Sequence, residues 1–174
     1  MDINKFKQYL GYGVRQNLYK VELAFPNISG ISSDLTEKFT FLCKSASQPS
    51  ATLGKIEVPY MGRVLPIPGD RTFDEYAVTV LNDAKYDLRN AFEVWHNAID
   101  QFEEHAPKNE YDDLMVEMKF HQLDRNKKVI KTYTFVGAWP LSVGSIDVGS
   151  DTNDSIEEFE VNFAYLLWKS DTTS

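Results

Sequence analysis

Apolar and polar residues alternate with a period of two through most of this chain. The clearest run is Glu75–Asn82, in which Tyr76, Val78 and Val80 share one side and Ala77 and Thr79 the other. Such alternation is typical of strands with one buried and one exposed face. Similar runs occupy Asn17–Phe25, Glu37–Ser45, Asp113–Asp124, Val129–Trp139 and Ile156–Trp168.

The period changes in a single long segment, Tyr86–Phe102, where apolar residues recur every three or four positions. That spacing predicts one face of an α-helix, with Asp83 as its N-cap. The segment Met1–Leu10 could form a short amphipathic helix or a disordered terminus. The 174 residues therefore predict one mainly β domain: an antiparallel β-sandwich or barrel of seven to eight strands with one flanking α-helix.

A hairpin is predicted by two short extended runs, Lys55–Tyr60 and Arg63–Ile67, around a Met61-Gly62 turn. Pro66, Pro68 and Gly69 should end it, because proline cannot donate to a strand ladder. An exposed, proline-bounded hairpin offers an unpaired sheet edge. We therefore expect this hairpin to join subunits of an assembly.

The Asp70-Arg71 pair follows the predicted hairpin and precedes the strand Glu75–Asn82. One interpretation is a subunit joint in which Arg71 or Arg63 pairs with a carboxylate of a neighbouring copy. The other is an internal ion pair that fixes a turn. Exposed ion pairs contribute little on their own, so the sequence leaves both open.

The charge balance excludes several classes of protein. Eighteen basic and 26 acidic residues give a formal net charge of −8, which argues against a grip on nucleic acid. No apolar run approaches the length of a membrane span, and no apolar leader is evident at the N-terminus. The lone Cys43 cannot form an internal disulfide, so a reducing cytoplasm is expected.

No motif predicts catalysis or a cofactor. His96, His105 and His121 lack neighbouring ligands at zinc spacing, and Cys43 alternates with phenylalanines as a core thiol would. The segment Asp147–Glu158 partly resembles a calcium loop, but Gly149 and Thr152 occupy the wrong positions, and an acidic turn is the simpler interpretation. Adjacent strand carboxylates such as Glu157 and Glu158 face opposite ways and cannot act as a pair. We expect no enzyme, no metal and no cofactor.

Five segments resemble the tail tube protein of contractile-tailed bacteriophages (myoviruses), a family related to the type VI secretion tube protein. The most specific is GDRTFDEYAVTVLND, preceded by PYMGRVLPIPG. The others are RQNLYKVEL, KFTFLCKSASQP and the ending TNDSIEEFEVNFAYLLW, so the resemblance covers roughly Arg15 to Trp168. This sequence departs from the family pattern at three places: the N-terminal segment, a polar insertion near Asn27–Leu35, and the residues after Trp168. We expect residues 1–174 to form one tail-tube domain, with residues 1–14 as an N-terminal arm and residues 169–174 as a short tail.

The resemblance implies a structural virion protein whose hexameric rings stack into the inner tail tube, the channel for DNA ejection. Its implied partners are further copies of itself, the tail sheath, baseplate and tail terminator proteins, and, in the lumen, a tape-measure protein and DNA without specific binding. Assembly would take place in the host cytoplasm. The alternatives are a baseplate tube initiator or a type VI secretion-like tube subunit, and, in another class, a soluble acidic β-barrel binding module.

Three sets of residues become candidates for these contacts. The candidates for subunit or ring interfaces are Tyr60, Met61, Arg63, Asp70 and Arg71. The candidates for lumen charge, taken from the polar sides of strands, are Glu57, Glu75, Glu117, Glu158 and Glu160. The candidates facing the sheath, on the polar side of the predicted helix, are Arg89, Asn90, Glu93, Asn97, Asp100 and Gln101.

Overall fold

The computed structural model describes residues 2–32, 34–100, 111–151 and 153–173. Gln101, Phe102 and His105 lie outside them. The described strands are β1 (Tyr19–Leu23), β2 (Cys43–Ala46), β3 (Ala51–Tyr60), β4 (Arg63–Phe73), β5 (Tyr76–Leu81), β6 (Val116–Leu123), β7 (Val129–Val143), β8 (Glu158–Ala164) and β9 (Leu167–Ser170). The described helices are α1 (Ile3–Leu10), α2 (Leu35–Leu42), α3 (Asp87–Ile99) and α4 (Tyr111–Leu114).

Seven of the strands form one antiparallel sheet in the order β1-β6-β7-β8-β5-β2, with β9 also paired to β7. The long strand β7 belongs to two halves of this sheet. Its first part pairs with β6 and β9, and its second part, from Trp139, pairs with β8. Gly137 lies between the two parts with φ +66°, a left-handed conformation that favours glycine. The sheet thus turns at β7, as strands do when they pass from one layer of a sandwich to the other.

One hydrophobic core lies between the two halves. Strands β1 and β6 supply inward side chains from one half, and β5 and β8 supply them from the other. The rings of Tyr76 on β5 and Phe135 on β7 lie 4.4 Å apart, joining the two sides. The mainly β antiparallel architecture predicted from the alternating pattern is therefore confirmed, with a helix packed at one side.

Helix α3 closes that side because its apolar stripe faces the core. Leu88, Phe92 and Trp95 are fully buried, and the Trp95 indole N–H donates to the carbonyl of Leu114 at 3.0 Å. The predicted N-cap was wrong, since α3 begins after Tyr86, which has a left-handed backbone. Asp83 instead accepts a 2.7 Å hydrogen bond from Lys38 on α2.

The segment predicted as the second strand begins as a helix. Residues Leu35–Leu42 form α2, and only Cys43–Ala46 pair as a strand, against β5. Leu35 and Phe39 are buried on one helical face, whereas Phe41 points into solvent with 78% of its surface exposed. The alternation of Phe39, Phe41 and Cys43 was misleading, because the spacing of Leu35, Phe39 and Leu42 fits a helix equally well.

Three predicted strand ends were also wrong. The hairpin does not end at its prolines but continues to Phe73. Pro140 does not stop β7; it lies where the register with β8 shifts, a place where a strand tolerates proline. The last strand divides into β8 and β9, with exposed Leu166 between them. In the described parts of the chain, the helices are all too short or too polar to cross a membrane.

Candidate assembly surfaces

Strands β3 and β4 form a separate two-stranded sheet that is exposed along almost its whole length. Direct cross-strand pairs place five apolar side chains on one side of it: Ile56, Val58, Tyr60, Leu65 and Ile67. We call this set the apolar hairpin face. Each member keeps between 38% and 66% of its surface exposed. Covering them would contribute roughly 4–7 kcal/mol, about half of the value for full burial of such side chains.

The hairpin's outer edges are poor sites for adding another strand. Pro59 on β3 and Pro66 on β4 sit opposite Val64 and Glu57, and Pro68 sits opposite Lys55. Proline is tolerated where the missing N–H would point away from the partner strand. These prolines therefore remove hydrogen-bond donors from the outer edges, so that another strand cannot pair there along its full length. The hairpin offers its apolar face, and not the free edge that the sequence suggested.

The root of the hairpin is fixed to the main sheet by aromatic residues. Phe73 packs against Tyr165 and Trp168, with ring centroids 6.0 and 6.4 Å apart. The Trp168 indole N–H donates to the Ser50 carbonyl at 3.0 Å, and the Tyr165 hydroxyl donates to the Asp74 carbonyl at 2.7 Å. The hairpin therefore projects from a rigid base, although an isolated two-stranded sheet is only marginally stable in water.

The predicted interface residues all fall on this hairpin. Tyr60, Met61 and Arg63 form its tip, and the side chain of Met61 is 87% exposed. Asp70 and Arg71 lie within β4 and not in a turn, with Arg71 opposite Leu53. Within the described part of the chain, none of the charged members forms an ion pair.

A second surface is the outward side of β5 and β8, which is polar. Register pairs bring Thr79 beside Glu160 and Leu81 beside Glu158 on this face. Asn162 donates to Ser142 on β7 at 3.1 Å, which extends the polar face to that strand. Strand β2 lies at one edge of this half of the sheet.

An open groove of about 910 Å³ runs between this face and the loop that precedes β8. Among the described residues that line it, the acidic side chains are Asp147, Asp154, Glu157, Glu158 and Glu160, and the cation is Lys44. Lys44 forms an ion pair with Glu158. The negative charge of Glu158 is therefore partly neutralised, and that of Glu160 is neutralised less. The pKa of Glu157 is lowered by hydrogen bonds from Tyr86 and Asn82.

The other predicted lumen residues do not join this face. Glu57 lies on the hairpin and pairs with Lys55 at 2.6 Å. Glu75 lies exposed between β4 and β5. Glu117 lies on β6, in the other half of the sheet, and pairs with Lys119 at 3.2 Å. The structure thus brings together only Glu158 and Glu160 of the five.

The predicted sheath-facing residues are only partly available. Asn90 and Glu93 are exposed on α3, Asp100 is exposed directly after its last residue, and Asn97 is half-buried. Arg89 is half-buried: its guanidinium lies 5.3 Å from the Phe159 ring, and its side chain donates to the Gly144 carbonyl and to Glu93. Gln101 lies outside the described residues.

Metal and thiol chemistry find no geometric support in what the structure describes. Across residues 2–32, 34–100, 111–151 and 153–173, no three His, Cys, Asp or Glu side chains are placed to hold a metal ion. Cys43 is half-buried, and burial raises the pKa of its thiol to about 12. A thiol with so high a pKa is a poor nucleophile.

The profile of the phage tail tube protein family matches residues 14–171. The chain belongs to that family. It is 33% identical to the tail tube protein of Serratia phage KSP90 over 97% of each chain. It is 34% identical to the tail tube protein of Enterobacteria phage T4 over 89% of this chain and 90% of the other. The subunit is therefore a structural component of a phage tail tube and not an enzyme.

A solved structure of an extracellular contractile injection system, a sheath–tube complex in its extended state, has the same fold. The match has a TM-score of 0.61 at 14% identity and covers 98% of both chains. Both curated relatives are described as tail tube proteins and are matched over 97% and 90% of their length, which favours a tube subunit over a binding module.

Of the two alternatives for Met1–Leu10, the structure has the short amphipathic helix, α1, but the sequence did not predict that the whole helix would be exposed. Its apolar stripe comprises Ile3, Phe6 and Leu10, and none of its residues is buried. The spacing of these residues was visible in the sequence, but nothing there showed that the helix would lie outside the core.

Proposed function

We propose that six copies of this chain form a ring by joining the half-sheet β2-β5-β8-β7 edge to edge, and that such rings stack into the channel of the tail. The half-sheet contributes four strands from each copy, so six copies would give a barrel of about 24 strands. At about 4.8 Å per strand its backbone would be roughly 37 Å across, and wider if the strands tilt.

The observation that carries this proposal is the polar outward side of β5 and β8. In a closed barrel one face packs against the subunit cores and the other lines the bore. The core face holds Val78, Val161 and Phe163, which leaves Glu158 and Glu160 for the bore. Like charge repels phosphate, so DNA could pass without adhering.

Charge over the whole ring supports the same conclusion. Six copies would carry a formal charge of about −48, six times −8. Screening limits the repulsion to about 8 Å at physiological salt, which suits a narrow channel. The tape-measure protein and DNA would occupy the lumen without specific binding. The exposed side of α3, with Asn90, Glu93 and Asp100, would face the sheath.

The apolar hairpin face, with Tyr60, Met61 and Arg63 at the tip, supports a role as the joint between copies. At the hairpin root, Asp70 would then pair with a basic side chain of a neighbouring copy, and Arg71 with a carboxylate. The baseplate and tail terminator proteins would meet the two ends of the tube. Assembly would take place in the host cytoplasm, before the tail becomes part of the virion.

A charge-reversal experiment tests the lumen assignment. Phage carrying Glu158→Lys with Glu160→Lys should assemble tails of normal length but eject DNA more slowly, since lysines would bind phosphate. Glu117→Lys is the matched control on the other half of the sheet and should eject normally. Tail length is measured by electron microscopy and ejection by the rate of DNA release. Normal ejection from the double variant would contradict the assignment.

A further inference from the structure

Helix α1 carries an apolar stripe that the described chain leaves uncovered. The stripe consists of Ile3, Phe6 and Leu10, which are 64%, 56% and 56% exposed. Lys7 lies one turn after Ile3 and so borders the stripe, Lys5 adds a second positive charge, and the helix contains no acidic residue. Exposed apolar patches mark interaction sites. The helix therefore fits a partner surface that offers both apolar contacts and negative charge.

The loop that precedes β8 offers such a surface. It forms one side of the open groove of about 910 Å³ that faces β5 and β8. Val148 and Ile156 are 79% and 71% exposed, and they line the groove together with Asp147 and Asp154. Within the described chain, neither aspartate forms an ion pair. We call these four residues the loop wall.

Hydrogen bonds tie both ends of this loop to the sheet. The Gly144 N–H donates to the Glu160 carbonyl at 2.7 Å, and the Asn82 N–H donates to the Glu157 carbonyl at 2.8 Å. The Tyr86 hydroxyl donates to the Glu157 carboxylate at 2.7 Å. The loop wall therefore lies at the end of the sheet where β7 ends and β8 begins.

The segment that follows α1 is held at the other end of β7. The Leu123 N–H donates to the Leu18 carbonyl at 2.8 Å, and the Arg125 guanidinium, in the β6–β7 turn, lies 4.6 Å from the Tyr12 ring. From this turn to the loop before β8, the 15 residues of β7 span about 50 Å along the backbone. The helix and the loop wall thus lie at opposite ends of the ladder that β7 forms with β9 and then with β8.

In the ring proposed above, these two ends face different neighbours. The strands of a closed barrel run from one rim to the other, tilted to the axis by about 35–45°. The loop wall then lies toward one rim and α1 toward the other. Rings that stack in a single orientation bring α1 of one ring to the loop wall of the next. A head-to-tail contact of this kind, repeated along an axis, builds an open stack.

We propose that α1 of a subunit in one ring docks on the loop wall of a subunit in the next ring, an inference that rests on the proposed ring assembly. The apolar stripe of α1 covers Val148 and Ile156. The two lysines of the helix face Asp147 and Asp154. Complementary charge sets the orientation of such a contact, and its repetition around the ring lets individually weak contacts add up.

Charge exchange in phage tails tests the ionic part of the contact. Lys5→Glu with Lys7→Glu reverses the charge of α1 and should reduce the number of full-length tails in a lysate several-fold. Asp147→Lys with Asp154→Lys reverses the loop wall and should do the same. Combining the two pairs should restore tails to near the wild-type number, as counted by electron microscopy. A combined variant that assembles no better than either pair alone would overturn the proposal.

The matched control reverses charge on the opposite side of the same groove. Glu158→Lys with Glu160→Lys changes the formal charge by the same amount as the loop-wall pair. It should neither reduce the number of tails nor rescue the α1 variant. Rescue by this control would show that net charge alone acts, and would overturn the assignment to the loop wall.

Disulfide cross-linking of purified tails locates the contact. In a Cys43→Ala background, Phe6→Cys and Ile156→Cys place one thiol on each surface. After mild oxidation, a non-reducing gel should show a ladder that continues beyond six subunits, because the links run from ring to ring. A ladder that stops at the hexamer would place the contact within one ring and overturn the proposal. Intact tails without cross-links would overturn it as well.

Gln8→Cys with Ile156→Cys is the matched control for cross-linking and should give no ladder, since Gln8 lies on the side of α1 away from the stripe. The charge exchange leaves Cys43 unchanged, so it decides the question even if Cys43→Ala blocks assembly. Tails whose tube shows no six-membered rings by cryo-electron microscopy would contradict the proposed function. Six-membered rings without the expected cross-links would contradict only the α1 contact.

Discussion

Replacing Gly137 with alanine should destabilise the subunit, because this glycine forms the bend in β7 between the two halves of the sheet. Its φ of +66° costs an L-residue roughly 1–2 kcal/mol. An added Cβ would also lie 2.9 Å from Leu166 Cδ1. Leu166 is 63% exposed and can rotate away, at a cost of roughly 0.5–1.5 kcal/mol.

The expected loss in free energy of unfolding for Gly137→Ala is therefore about 1.5–3.5 kcal/mol, which lowers Tm by roughly 4–10 °C. Urea unfolding followed by tryptophan fluorescence, at concentrations too low for tubes to form, measures it. The matched background is Leu166→Ala, which removes the clash but not the backbone strain. In that background the loss in free energy of unfolding caused by Gly137→Ala should be smaller, and the difference should equal the cost of moving Leu166. Equal stability of Gly137→Ala and wild type would refute the reasoning, and an unchanged loss in the Leu166→Ala background would refute the clash.

Two further predictions concern titratable groups. Burial raises the pKa of Asp83, but hydrogen bonds from Lys38 and from the Lys85 backbone outweigh it and leave the pKa below its ordinary 3.8. This interaction therefore stabilises the fold above about pH 4 and is lost as the pH falls through the lowered pKa. Lys38→Met should lower the urea midpoint more at pH 6 than at pH 2.5, since protonation of Asp83 weakens the interaction at low pH; an equal deficit at both would contradict this. The pKa of Cys43, raised by burial from 9.0 to about 12, lowers the thiolate fraction at pH 7.5 by roughly 1,000-fold, so alkylation of the native subunit should be much slower than that of the urea-unfolded chain. Equal labelling rates by mass spectrometry would contradict that prediction.

The strands that follow a strict alternation were predictable from the sequence, because one face of each is in the core. Phe159, Val161 and Phe163 on β8 are all buried as the pattern requires. Helix α2 was not predictable in the same way, since Phe39 alternates with Phe41 as in a strand and also lies at helical spacing from Leu35 and Leu42. Tertiary contacts decided the outcome: the helix buries Leu35 and Phe39 and leaves Glu37 exposed, whereas a strand would place all three on one face.

Of the surfaces proposed for assembly, the exposed hairpin was predictable in kind but not in detail. The hairpin was evident from its turn and its prolines, yet the side it offers depends on the register, which the sequence does not state. The helical periodicity predicts that Arg89 faces solvent. Its side chain instead packs on the ring of Phe159 and donates to the carbonyl of Gly144, and both of these residues are distant from it in sequence.

The shared strand β7 also determines how the subunit carries mechanical load. Fifteen residues of one chain, Val129–Val143, bond to β6 and β9 on one half and to β8 on the other. A pull along this strand would stress many ladder hydrogen bonds in parallel, whereas a pull across it would open them one after another. Force entering one half of the sandwich therefore passes to the other through covalent bonds, and the two layers resist sliding apart along the direction of β7.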